Sequence, residues 1–110
     1  MTSEAKVRLL ALALPEAAEA PHFEKTSFRV RSKIFATLGE REAPLVVKLT
    51  PDQQAMLTDT QSAVFEAVPG HWGRAGWTHV RLAAADDETV RHALTLAWRN
   101  VAPKKLAAAL

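Results

Sequence analysis

The stretch Phe23–Leu49, FEKTSFRVRSKIFATLGEREAPLVVKL, decides the fold of this chain, because it joins the densest apolar/polar alternation to the largest local excess of positive charge. In Thr26–Val30, Thr26, Phe28 and Val30 alternate with Ser27 and Arg29; in Lys33–Leu38, Ile34, Ala36 and Leu38 alternate with Phe35 and Thr37. A period of two sends successive side chains to opposite faces of an extended chain, so both runs read as strands. Arg31-Ser32 between them makes a hairpin. Two-residue hairpin loops favour Gly or Asn, because the backbone turns through positive φ there. Neither is present, which predicts a longer loop with Arg31 projecting into water. Gly39–Pro44 reads as a polar turn, and Leu45–Leu49 as a further strand.

Upstream, Ser3 caps a first helix in which Val7, Leu10, Ala11 and Leu14 share one face, widened by Leu9 and Leu12 and ended by Pro15. Glu19–Phe23 reads as a short first strand, confined to a sheet edge by Pro21. Downstream, Thr50 and Gln53 form a capping box with Pro51 at the first helical position, predicting a helix to about Leu57. Val64–Val68 reads as a brief extended segment. In His71–Leu82, a Gly-flanked turn at Gly73–Gly76 precedes a strand with Trp77, His79 and Arg81 on one side and Thr78, Val80 and Leu82 on the other. Asp86 caps a long last helix striped by Val90, Leu94, Ala97, Trp98 and Val101. Pro103 breaks it before a short helical piece, Lys104–Leu110. The expected architecture is α+β: a two-layer domain with an antiparallel sheet and the N- and C-terminal helices packed on one face.

At 110 residues the chain supports one hydrophobic core, so residues 1–110 are expected to form a single domain. A 48% hydrophobic and 24% charged composition argues against disorder. The absence of cysteine excludes disulfides and thiolate chemistry and fits a reducing compartment. The apolar run Val7–Leu14 is interrupted by Arg8 and too short to span a bilayer, while Glu4 argues against a signal peptide. These features predict a cytoplasmic protein with no membrane role.

Candidate chemistry is sparse. From Pro21 to Thr50, six basic residues stand against three acidic ones. Arg29, Arg31, Lys33 and Lys48 are the candidates for phosphate contact, since hairpin strands can present such groups to a nucleic-acid backbone. Arg41, in the next turn, and Arg74, in the Gly-flanked loop, would extend that surface. The competing reading is that these charges only keep an exposed face soluble. Trp72 is a candidate to stack on a base, whereas Trp77 and Trp98 are expected in the core. His22, His71, His79 and His92 lack metal-ligand spacing, so no metal is expected. Ser27, Ser32 and Ser62 have no placed base, and Asp86-Asp87-Glu88 is a helix cap, so neither catalysis nor a cofactor is expected.

Taken together, LPEAAEAPHFEKTSFRVRSKIFATL, LVVKLTPDQQAML and GHWGRAGWTHVRL, with a closing helix containing ALTLAWRNVAPKKL, resemble the MmcQ/YjbR family of small bacterial proteins. The most specific parts are Phe28-Arg29-Val30 followed by Lys33-Ile34-Phe35-Ala36, the Lys48–Gln54 stretch, and Gly76-Trp77. The resemblance implies a fold similar to the bacterial frataxin homologue CyaY and no enzymatic activity. It also implies DNA binding through a winged, basic surface, with a protein- or small-ligand-binding module as the alternative. The family's hairpin turn usually carries glycines where this chain has Arg31-Ser32. The clustered carboxylates of a frataxin-like iron surface are missing, so iron handling is not carried across by fold.

Overall fold

A computed structural model describes residues 1–39 and 45–110. Six strands form one antiparallel sheet in the order β1-β2-β3-β4-β6-β5: β1 (Ala17–His22), β2 (Lys25–Val30), β3 (Lys33–Leu38), β4 (Leu45–Lys48), β5 (Phe65–Ala67) and β6 (Trp77–Val80). Helix α1 (Glu4–Leu12) packs on α4 (Asp87–Val101), which lies across β3 and β4. Helix α2 (Pro51–Thr60) packs on β5. The short α3 (His71–Arg74) abuts β6, and α5 (Lys104–Ala108) follows α4. This is the expected two-layer arrangement.

The core follows from the pleat. Phe28, Val30, Ala36, Leu38, Leu45, Val47 and Val80 pair across the strands on one face, where they meet Val7 and Ala11 of α1 and Val90, Leu94, Ala97 and Trp98 of α4. Each fully buried large aliphatic or aromatic side chain in that layer contributes about 1.5–3 kcal/mol. Trp98 is fully buried and its Nε1 donates to the Pro15 carbonyl at 3.0 Å, so α4 holds the segment that follows α1. The buried Thr2 hydroxyl shares its one proton between Asp87 Oδ1 at 2.9 Å and the Ala85 carbonyl at 3.2 Å, tying Thr2 to the start of α4. The helix caps form as the residues dictate: Ser3 on α1, a reciprocal Thr50–Gln53 box on α2, and Asp86 accepting from the Thr89 amide on α4.

Several expectations are corrected. The β2–β3 turn is two residues long after all, with Arg31 at φ 51 and Ser32 at φ 69, the double left-handed geometry that the twist of a hairpin requires. A bulge between Phe28 and Arg29 opposes Ile34 and Ala36 to consecutive β2 residues and leaves Phe35 as the extra residue. Phe35 is consequently buried, while Ile34 leaves the side of Ala36 and Leu38 for the opposite face. Strand β1 begins at Ala17 and ends at His22, so Phe23 lies in the turn. Leu9 and Leu12 do not widen the packed face of α1; both are exposed. Helix α2 runs past Leu57 to Thr60, the Gly-flanked turn is the helical turn α3, and β6 stops at Val80 before a 3-10 turn at Leu82–Ala84. Trp77 is not in the core: it sits, half-buried, on the face away from α1 and α4. Most of the Gly39–Pro44 turn, Arg41 included, lies outside the described residues. No described helix is long and apolar enough to cross a membrane.

Candidate functional site

Cross-strand partners project to the same side of a sheet, so the register sorts the candidate cations by face. Arg29 is opposite Ala18 and Ile34, on the face away from α1 and α4. Lys33 is opposite Val30, on the helix-covered side. Arg31, in the turn, does not project freely: its Nε and Nη2 donate to the two carboxylate oxygens of Glu16 at 2.5 and 2.9 Å. That bidentate bond holds the Glu16 carboxyl below its ordinary range and raises the Arg31 guanidinium. The expected continuous cationic ribbon along the hairpin is therefore not built. Its charges divide between two faces and one ion pair.

Lys48 shares the open side with Arg29, opposite Trp77. Its Nζ donates to the Ala75 carbonyl at 2.6 Å and stands 5.4 Å from the centre of the Trp77 ring, a cation–π distance. Arg29 Nε donates to Ser27 Oγ at 2.9 Å, and Ser27 Oγ donates to the Ala20 carbonyl, so this guanidinium is held along the sheet. Arg74 is exposed in α3, two residues from Trp72. Arg41 lies outside the described residues.

The register brings Lys25, Ser27 and Arg29 of β2 to the open face beside Ile34 and Thr37 of β3, Val46 and Lys48 of β4, and Trp77 and His79 of β6. A groove of about 460 Å³ crosses this face. Ile34, Val46, Trp77 and His79 form its sheet side. His22 and Lys25 line it at one end, Val68 and Trp72 at the other. No carboxylate lines it among the described residues. Trp72 is 62% exposed and meets the Trp77 ring edge-on at 6.4 Å. His79 Nδ1 is buried and has no hydrogen-bond partner among the described residues.

The α3 segment that carries Trp72 is fixed from below. The two protons of Gln54 Nε2 are shared among the carbonyls of Gly73 (2.9 Å) and Trp77 (3.1 Å) and Thr78 Oγ1 (3.1 Å). A Cβ on Gly73 would lie 1.6 Å from the Val68 carbonyl oxygen, so only glycine allows this approach. The spacing of Gly73 and Gly76 thus serves to seat Trp72 and Trp77 at the groove.

Sequence reading missed Lys25, Ile34, Val46 and His79 as site residues. Lys25 was within reach, since it has the same strand parity as Ser27 and Arg29. Ile34 was not, because the bulge that turns it outward leaves no local mark. Among the described residues no three His, Asp or Glu side chains gather as metal ligands.

Comparison with known proteins bears on the family and the fold. The family model described as YjbR matches residues 12–100. The crystal structure of the Deinococcus radiodurans protein DR2400, whose domain is of the DUF419 type, is similar in fold, with a TM-score of 0.76 at 20% identity; the match covers 91% of this chain and 78% of that one. No curated protein matches the chain.

Proposed function

The chain belongs to the YjbR family, and on that basis we propose that it is a non-catalytic, cytoplasmic module that binds nucleic acid on the uncovered face of its sheet. The observation that carries this reading is one groove combining an exposed Trp72, a cation at Lys25 and no acidic lining among the described residues, with Arg29 and Lys48 on the same face. Cations placed this way attract a phosphate backbone, and an exposed indole offers a stacking surface to a base. Arg31 and Lys33 take no part, the first because Glu16 holds it and the second because it is on the other side.

Titrating a labelled oligonucleotide at two salt concentrations tests the proposal. Log affinity should fall with log salt by about 0.7–0.9 for each phosphate neutralised. Absence of binding at low salt refutes it. The apolar sheet side of the groove, Ile34 and Val46, favours a second reading in which the module takes an uncharged small ligand or a protein segment. Binding that ignores salt selects that one.

A further inference from the structure

Among the described residues, four other than glycine hold positive φ: Glu16, Phe23, Arg31 and Ser32. Left-handed backbone costs an L-residue roughly 1–2 kcal/mol, so each asks for a reason. Glu16 and Arg31 hold one another, and Ser32 completes the turn that Arg31 begins. Phe23 is different. It is the first residue of the two-residue β1–β2 turn, with φ 57, a position where glycine serves best. The residue is 95% exposed, and its ring meets that of His22 edge-on at 4.9 Å. Backbone strain is thus combined with a solvated phenyl ring, and both terms oppose folding. Residues kept against such costs cluster where a ligand is gripped.

Its position gives the ring a use. His22 and Lys25, the strand residues that flank the Phe23-Glu24 turn, line one end of the groove, and Trp72 lines the other; Phe23 stands just outside it, against the His22 ring. The groove therefore runs from Trp72 to His22, whose ring Phe23 meets edge-on; Lys25 stands at that end, and His79 Nδ1, buried and without a hydrogen-bond partner among the described residues, lies in its sheet side. Glu19 and Glu24 lie around Phe23 in an adjoining hollow, so a polyanion approaching this ring is favoured on the Lys25 side. Duplex DNA hides the flat faces of its bases within the stack. A single strand can splay them onto aromatic side chains.

We propose that the groove takes a single-stranded nucleic-acid segment, one base stacked on Trp72 and another further along the strand on Phe23, with Lys25 on the intervening phosphates. This rests on the reading of the open face as a nucleic-acid surface and names the form of nucleic acid and a second stacking residue. The test compares the wild type with Phe23→Gly, Phe23→Trp and Lys25→Glu, using a labelled oligothymidylate, a duplex of equal length and thermal melting. Phe23→Gly relieves the backbone, so its Tm should rise while oligothymidylate affinity falls about tenfold, the scale of one lost stacking contact. Phe23→Trp should retain or improve affinity, and the duplex should bind more weakly than the single strand. Unchanged affinity in Phe23→Gly, or a duplex that binds as tightly as the single strand, overturns the inference. If Lys25→Glu still weakens binding in that case, the nucleic-acid reading survives without it. A wild type that binds neither probe at low salt overturns both.

Discussion

Glu16 and Arg31 hold each other from two left-handed backbone positions, φ 56 and φ 51, through hydrogen bonds of 2.5 and 2.9 Å. The pair ties the segment after α1 to the β2–β3 turn and neutralises the charge at the hairpin tip. The Arg31 hydrogen bond depresses the Glu16 pKa, so the pair's stabilisation is complete above the ordinary glutamate value and is lost as acidification carries the pH down through the depressed one. Arg31, shifted upward, stays charged throughout that window. Melting curves of wild type and Glu16→Gln should therefore converge toward acid pH and separate modestly near neutrality, since both side chains are about half exposed. A gap that does not depend on pH would contradict this.

Ser32, at φ 69, completes the turn, and its hydroxyl makes no hydrogen bond among the described residues. Ser32→Gly should stabilise the protein by about 1 kcal/mol, because glycine enters left-handed backbone without steric cost while the Glu16–Arg31 pair is preserved. Chemical denaturation measures it. Destabilisation would mean that the turn geometry is not the one described.

Trp98 is the largest fully buried side chain and also the link to the Pro15 carbonyl. Trp98→Phe should cost about 0.5–1.5 kcal/mol beyond the packing change, since it removes the hydrogen bond to the part-buried Pro15 carbonyl. Trp98→Ala should cost about 3–5 kcal/mol. Denaturant midpoints at constant m-value report both. A Trp98→Phe variant as stable as the wild type would show that the Pro15 contact contributes nothing.

The seat of Trp72 depends on Gln54 and Gly73. Gln54→Leu removes the amide that the Gly73 and Trp77 carbonyls and Thr78 Oγ1 share beneath α3 and should lower stability by about 1–3 kcal/mol. Trp72, being exposed, should lose almost no stability on conversion to Ala. Indole fluorescence and melting separate the two. A large drop in Tm for Trp72→Ala would put that ring in the structural framework instead of at the ligand.

The alternation in Lys25–Leu38 and the stripe of α4 were legible because period and burial are local properties of those segments. The placement of the cations was not. Arg29 and Lys33 carry like charge four residues apart, yet whether they share a face depends on a two-residue turn and a bulge, both set by tertiary pairing. Arg31 looked free because its partner Glu16 lies fifteen positions away in sequence and meets it only through the sheet. Trp77 looked like core because strand parity does not say which face the helices cover. The groove itself arises from four strands and the α3 segment, and no stretch of the sequence carries its outline.

Charge reversal on the two faces tests the central claim most directly. Lys25→Glu and Lys33→Glu change the net charge equally, but Lys25 lines the groove and Lys33 stands on the helix side. Oligonucleotide affinity measured across a salt series should fall about tenfold or more for Lys25→Glu, with the salt slope reduced by about 0.7 for each lost single-strand phosphate contact, and should hold for Lys33→Glu. Equal losses in both variants, or a loss confined to Lys33→Glu, would contradict a binding surface on the open face.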